Sequence, residues 1–142
     1  MEFTTKEASL ITGISIRNIH YLCRELVIIP EIRNPKRRTP RLFSLENLFQ
    51  LRTLAFLFDS GFDMTIAKFL IRDCPWGWTL DLQPSLAILA NGKQWKFASY
   101  GQWENFKMGF SNGAIKNMLM VNILKAKTDV LDKVKPGWTK GT

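Results

Sequence analysis

Two helical patterns meet in the stretch Thr12-Gly13-Ile14-Ser15-Ile16-Arg17-Asn18-Ile19-His20-Tyr21, and this stretch decides the fold. Gly13 favours a turn, and Ser15 is a residue type that commonly caps the start of a helix. Thr4 and Glu7 have the spacing of a capping box, so a first helix is expected to begin there and to end at the glycine. Apolar residues recur at intervals of three and four along the second helix, namely Ile19, Leu22 and Leu26. The sequence therefore predicts a helix, a glycine turn and a second, capped helix.

A basic loop follows the second helix. Two short apolar runs, Val27-Ile28-Ile29-Pro30 and Arg41-Leu42-Phe43, flank a stretch that is rich in breaker residues. This pattern predicts two short strands around a loop, which is a β-wing. The loop contains three consecutive basic residues, Lys36, Arg37 and Arg38. The wing would therefore carry positive charge beside the second helix.

Two further helices complete the first half of the chain. Ser44 can cap the third helix, and Gly61 lies where a left-handed C-terminal cap would end it. The apolar stripe of this helix consists of Leu45, Leu48, Leu51, Leu54, Ala55 and Phe58. A fourth short helix, capped by Asp63, is expected to run to about Arg72. We therefore expect a mainly helical, winged helix-turn-helix domain over residues 1–73.

The charge of the chain is strongly positive and unevenly distributed. The formal net charge is +8, and all arginines occur at or before Arg72. Such a field attracts polyanions, either nucleic acid or an anionic membrane face, and arginine suits contacts to phosphate and guanine. No run reaches the roughly twenty apolar residues of a membrane span. With no signal-peptide pattern at the N-terminus, a soluble, cytoplasmic and nucleoid-associated protein without a membrane partner is expected.

The predicted geometry lets the second helix enter the major groove of DNA with its N-terminal residues near base edges. The candidate DNA-binding residues have polar or charged side chains on this helix and on the wing: Ser15, Arg17, Asn18, His20, Tyr21, Arg24, Lys36, Arg37, Arg38 and Arg41. Base contacts are expected from Arg17, Asn18, His20 and Tyr21. Phosphate contacts are expected from Arg24, Arg37, Arg38 and Arg41. The alternative is an ordinary solvated helix face followed by a solvated charge run.

These ordered features resemble the MerR family of bacterial regulators over roughly Phe3 to Asp73. The resemblance is carried by residues 3–8, 12–21, 24–25, 41–44, 48–52 and 57–62. It implies that Arg17 and Tyr21 touch DNA and that the wing residues Arg38 and Arg41 contact phosphates. Three positions depart from the family pattern: His20 replaces the usual arginine, Leu22 a common second tyrosine, and Leu26 the glycine that usually ends the recognition helix.

The resemblance also implies a homodimer, because family members dimerise through a long helix that directly follows the DNA-binding domain. Many activators of the family retwist a promoter so that RNA polymerase can engage it. In this chain Cys74-Pro75 interrupts the helical pattern, and the next long helix is expected only from about Ala114. Dimerisation is therefore an expectation, and transcriptional activation through RNA polymerase is a hypothesis.

The second half of the chain has a different pattern. The stretch Cys74-Pro75-Trp76-Gly77-Trp78 marks the predicted domain boundary. The runs Ser85 to Ala90 and Gln94 to Ser99 flank Asn91-Gly92-Lys93, and an Asn-Gly pair between apolar runs is a strong hairpin signal. A helix is expected from Ala114 to Lys135. The fold class is therefore α+β and mainly α.

The predicted second domain, residues 74–142, would be a small α+β unit for effector binding, dimerisation or partner binding. Its terminal helix carries an apolar stripe of Leu119, Ile123, Ala126, Val130 and Val134. Packing within one subunit and a dimer seam both fit this stripe, and the seam is favoured because operators are usually read by two-fold proteins. The aromatic residues could line an effector pocket, with Trp76, Trp78, Trp95 and Trp103 as candidates, or could simply form a core.

Enzyme chemistry is not indicated. His20 is the sole histidine, and no nucleophile-base pair, phosphate-cradling glycine motif or clustered Cys/His spacing occurs, so no metal or cofactor is expected. Cys23 and Cys74 are expected to be buried and structural rather than a thiol sensor. We therefore expect a sequence-specific, double-stranded DNA-binding transcriptional regulator acting at a promoter or operator. The alternatives are an excisionase-like architectural protein of recombination or phage biology, and an enzyme or interaction module that the first half directs to DNA.

Overall fold

The computed structural model describes residues 2–31, 40–61, 63–76, 84–92, 94–99 and 111–134. The elements in chain order are β1 (Glu2–Thr4), α1 (Thr5–Thr12), α2 (Ile16–Arg24), β2 (Leu42–Ser44), α3 (Leu45–Asp59), α4 (Met64–Asp73), β3 (Leu86–Ala90), β4 (Gln94–Ala98), β5 (Met118–Asn122) and α5 (Ile123–Val134). A helix-turn-helix region is thus followed by a three-stranded sheet and a terminal helix. The predicted α+β, mainly α class is confirmed.

Local side-chain caps begin the first two helices, as the sequence predicts. The Thr4 hydroxyl accepts a hydrogen bond from the backbone N–H of Glu7 at 3.2 Å, and the Glu7 carboxylate accepts one from the Thr4 N–H at 2.9 Å. Gly13 ends α1 with a φ of 81°, a left-handed conformation that suits glycine. Ser15 then accepts a hydrogen bond from the N–H of Asn18 at 3.1 Å. Together these contacts define the helix, turn and helix.

The prediction of a first wing strand is wrong. Residues 27–29 form no strand; instead, the N–H groups of Val27 and Ile28 bond to the carbonyl of Leu22, at 3.0 and 3.3 Å. This turn at the end of α2 buries both side chains in the core. The second predicted strand exists as β2, but it pairs antiparallel with β1, where Phe3 lies opposite Phe43. Burial of two phenylalanines favours this non-local pair over a local hairpin.

Helix α3 lies at the centre of the core. Leu48, Leu51 and Leu54 on this helix are fully buried, and α1, α4 and α5 all pack against it. The same cluster of buried residues continues into the second half of the chain through Leu89 and Val130. The division into domains 1–73 and 74–142 stays a prediction, and the described core is continuous across it.

The C-terminal sheet has the strand order β4-β3-β5, with both pairs antiparallel. The predicted hairpin is confirmed: Ala90 pairs with Gln94 across a three-residue loop. Asn91 and Gly92 in this loop have φ values of 57° and 68°, left-handed conformations that favour asparagine and glycine. The predicted helix from Ala114 to Lys135 is correct only for its C-terminal part, because Met118–Asn122 forms β5. The apolar run that begins at Met118 supplies the second partner that the central strand β3 needs.

Helix α5 begins immediately after β5, where the side chain of Asn122 accepts a hydrogen bond from the N–H of Lys125 at 2.9 Å. Its residues Ile123, Ala126 and Val130 are completely buried, and the helix packs on α3 of the same chain. The preference for a dimer seam along this stripe is therefore wrong, because the stripe is used for packing within the subunit. Leu119, the first member of the predicted stripe, lies on β5 instead.

Candidate nucleic-acid interface

Helix α2 has one apolar face and one polar face. Ile19, Leu22 and Cys23 are buried, which fixes the rotation of the helix about its axis. The opposite face exposes four of the candidate DNA-binding residues to solvent, namely Arg17, Asn18, Tyr21 and Arg24. Tyr21 is 41% exposed, although a tyrosine ring gains from burial. The packing of α2 therefore presents its polar face outward as one surface, here called the α2 face.

The N-terminal end of α2 is exposed along with this face. Ser15 caps the helix through its hydroxyl, and Arg17 and Asn18 lie in the first turn. The N-terminus of a helix carries a partial positive charge that favours anions such as phosphate. Ser15 is thus a capping residue in the structure, and its expected DNA contact stays a prediction.

His20 lies at the edge of the α2 face and contacts the wing. Its Nδ1 atom is 2.6 Å from Nη1 of Arg41, 21 positions further along the chain. A guanidinium group only donates hydrogen bonds, so Nδ1 of His20 accepts and the ring proton resides on Nε2. Both side chains are half-buried. Sequence reasoning placed His20 and Arg41 separately on DNA and missed this contact, because no sequence spacing indicates it.

The remaining wing candidates, Lys36, Arg37 and Arg38, lie outside the described residues. The described chain leaves α2 through Glu31 and returns at Pro40, directly before Arg41. Where the described chain resumes, Arg41 thus reaches α2.

The effector-pocket candidates fall into two groups. Trp76 and Trp95 are buried, and their indole Nε1 atoms donate hydrogen bonds to the α4 carbonyls of Ile71 at 2.8 Å and Ile66 at 3.2 Å. These hydrogen bonds connect α4 to the second half of the chain. Trp95 also lines a cavity of about 360 Å³. Trp78 and Trp103 lie outside the described residues. An effector pocket at these tryptophans stays a prediction.

Both cysteines are buried, as expected. Burial raises the pKa of the Cys23 thiol, and the charge of Arg41 offsets part of that rise. Burial raises the pKa of Cys74 to about 12. Neither thiol therefore has the thiolate character of a redox sensor. In the part of the chain that the structure describes, no three His, Cys, Asp or Glu side chains lie close enough to hold a metal ion, and no helix is long and apolar enough to cross a membrane.

A capped helix after a glycine turn, with an outward polar face and an arginine from the following loop beside it, defines a helix-turn-helix DNA-binding domain. Residues 3–73, half of the chain, match the family described as MerR HTH family regulatory protein, and the chain belongs to this family. Such a domain implies a DNA-binding transcriptional regulator, and the family is typically non-enzymatic. No curated protein matches the sequence.

Proposed function

We propose that the protein binds specific double-stranded DNA sites at a promoter or operator by inserting α2 into the major groove. The observation that carries this proposal is the α2 face, which stays exposed while the opposite side of the helix is buried. An α-helix with its side chains is about 10–12 Å in diameter, so α2 fits a major groove about 12 Å wide. Its nine residues give it a length of about 13.5 Å along the groove.

The positions of the residues on α2 support separate roles. Arg17 and Asn18 lie in the first turn, nearest to the bases, and their side chains suit guanine and adenine respectively. Tyr21 lies one turn later on the same face. Arg24, in the last turn, and Arg41, beside His20, would reach the phosphates that flank the groove. Lys36, Arg37 and Arg38 would extend the phosphate contacts from the wing.

We also propose that the protein binds DNA as a homodimer. Operators are commonly two-fold symmetric, and such a site requires two copies of α2. Small-molecule effectors and RNA polymerase are proposed as further partners of such a regulator. The oligomeric state can be measured by light scattering of the free protein and of its DNA complex.

One observation favours an excisionase-like architectural protein as the second candidate. Directly after α4 the backbone of Cys74 is extended, with φ −71° and ψ 135°, so no helix continues from the DNA-binding domain. The next described helix, α5, packs back on α3 of the same chain. Cooperative loading of monomers on tandem sites, together with strong bending of the DNA, would favour this candidate.

The test begins with selection of a preferred duplex from a randomised pool. Fluorescence anisotropy then compares the selected and scrambled duplexes over a salt series for the wild type, Arg17→Ala and Lys96→Ala. Lys96 is an exposed lysine on β4, so its substitution also removes one positive charge, but outside the α2 face. We expect Arg17→Ala to lower the preference for the selected duplex by about 1–3 kcal/mol in binding free energy and Lys96→Ala to preserve it. Equal affinity of the wild type for both duplexes would contradict the proposal.

A further inference from the structure

Arg52, in the middle of α3, reaches the turn of the helix-turn-helix. Its Nη1 atom donates a hydrogen bond to the backbone carbonyl of Thr12 at 3.0 Å. Thr12 is the last residue of α1, where carbonyl groups lack partners within the helix. A Cβ atom added to Gly13 would lie 3.5 Å from the same Nη1 atom, so Arg52 lies against the turn itself.

The other side of the Arg52 guanidinium contacts the C-terminal helix. Its Nε and Nη2 atoms donate to one carboxylate oxygen of Asp129 on α5, at 3.2 and 3.0 Å. The second carboxylate oxygen of Asp129 is 2.7 Å from the ammonium group of Lys125. The guanidinium carbon of Arg52 is also 5.0 Å from the centre of the Phe56 ring. Arg52 is thus held on several sides while it reaches Thr12.

The charge of Asp129 suits this contact. Partial burial by itself raises the pKa of Asp129, but hydrogen bonds and charge from Lys125 and Arg52 outweigh it and lower the pKa. The carboxylate is therefore ionised at neutral pH. The side chains of Arg52 and Asp129 are 29% and 16% exposed. An ion pair that partly contacts water contributes little to overall stability, so we attribute its importance to the orientation of Arg52.

We propose that Asp129 is a positioning residue for DNA recognition: it orients Arg52, which fixes the C-terminal carbonyl of α1 and thereby the angle at which α2 leaves the turn. The inference rests on the proposed function and gives the C-terminal helix a part in it. A small change of this angle displaces the α2 face relative to base edges, where hydrogen bonds tolerate little misplacement. Phosphate contacts are less demanding, because they depend mainly on charge.

The experiment compares Asp129→Ala with Asp132→Ala in the full chain. Asp132 is an exposed aspartate on the same helix, so both substitutions remove one negative charge and replace the same residue type. Anisotropy with the selected and scrambled duplexes gives the specificity ratio. We expect Asp129→Ala to lower this ratio about fivefold to tenfold, and Asp132→Ala to change it by less than about twofold. The conservative variant Asp129→Glu, which keeps the charge, should recover part of the ratio.

A second readout does not depend on DNA. Amide hydrogen exchange at Gly13 and Ile14 should be faster in Asp129→Ala than in the wild type and Asp132→Ala, while urea denaturation shows similar global stability. An unchanged specificity ratio together with unchanged exchange at the turn would overturn the proposal. A ratio that falls only in step with global stability would also overturn it. If the wild type fails to discriminate between the duplexes, the proposed function fails, and the exchange measurement still decides whether Asp129 positions the turn.

Discussion

Nη1 of Arg41 lies 2.6 Å from Nδ1 of His20, so Arg41 is hydrogen-bonded to the edge of the α2 face. Because Nδ1 accepts this bond, the Nε2–H group of His20 is the donor that the proposed function leaves for DNA. An arginine at position 20 could not accept this hydrogen bond, because a guanidinium group only donates. In the proposed function, this hydrogen bond would hold Arg41 against α2 as the helix approaches DNA.

A double-mutant cycle tests this coupling. His20→Ala and Arg41→Ala should each weaken DNA binding, because each removes one proposed DNA contact and also releases the partner from its hydrogen bond. Their effects should be less than additive, with a coupling energy of about 0.5–1.5 kcal/mol in the binding free energy. Titration of the selected duplex with the wild type, both single variants and the double variant measures it. Strict additivity would show that the two residues act independently. The pair His20→Ala with Lys96→Ala is the control, because Lys96 lies on β4, outside the α2 face, and the two effects should add.

Substitutions of the two arginines on the α2 face should affect DNA binding in different ways. Arg17→Ala should weaken the binding free energy for the selected duplex by about 1–3 kcal/mol and relax the preference at one base position. Arg24→Ala should weaken binding to selected and scrambled duplexes alike and reduce the slope of log K against log salt by about one. Binding measured at several salt concentrations against a set of single-base variants separates the two effects. Loss of base preference in Arg24→Ala, with none in Arg17→Ala, would reverse the assignment of roles.

What could be predicted from the sequence was mainly local. The caps at Thr4 and Ser15 and the hairpin at Asn91-Gly92 depend on neighbouring residues, and the structure contains all three. The sequence predicts a helix where β5 forms, because the strand conformation of β5 depends on pairing with β3, more than twenty residues earlier in the chain. Residue spacing contains no information about such a partner.

In the candidate site, too, local features could be predicted from the sequence and long-range contacts could not. Helical periodicity predicts that Ile19, Leu22 and Leu26 face inward, and Ile19 and Leu22 are buried as predicted. The prediction is wrong for Leu26, because α2 ends at Arg24 and the Leu26 side chain is 64% exposed. The contact between Arg52 and Asp129 spans 77 positions of the chain and could not be predicted from spacing. The same holds for Arg41 and His20, whose contact depends on how the chain returns from the wing.

Leu26 provides a test of backbone strain at the end of α2. Its φ is 58°, a left-handed conformation that is costly for leucine, and its side chain is 64% exposed, so little burial compensates. Leu26→Gly should therefore raise the free energy of unfolding by about 0.5–1 kcal/mol. Urea denaturation measures the change. Leu10→Gly is a matched control, because Leu10 is also exposed but lies within α1, where glycine should destabilise by about 1 kcal/mol. Destabilisation by both substitutions would show that Leu26 is not strained.

We expect the free energy of unfolding to fall at alkaline pH because the Cys74 thiol is buried. Burial raises its pKa to about 12 in the folded protein, against 9.0 for an unperturbed thiol. Between these values the unfolded chain has released the proton and the folded chain retains it, so the free energy of unfolding decreases as pH rises above 9.0. The contribution of one such thiol approaches about 1.4 kcal/mol per pH unit. Urea denaturation between neutral and alkaline pH should therefore show a shallower decline for Cys74→Ala than for the wild type. Identical slopes for the two proteins would contradict the buried, protonated thiol, as would rapid labelling of the native protein by a thiol reagent at neutral pH.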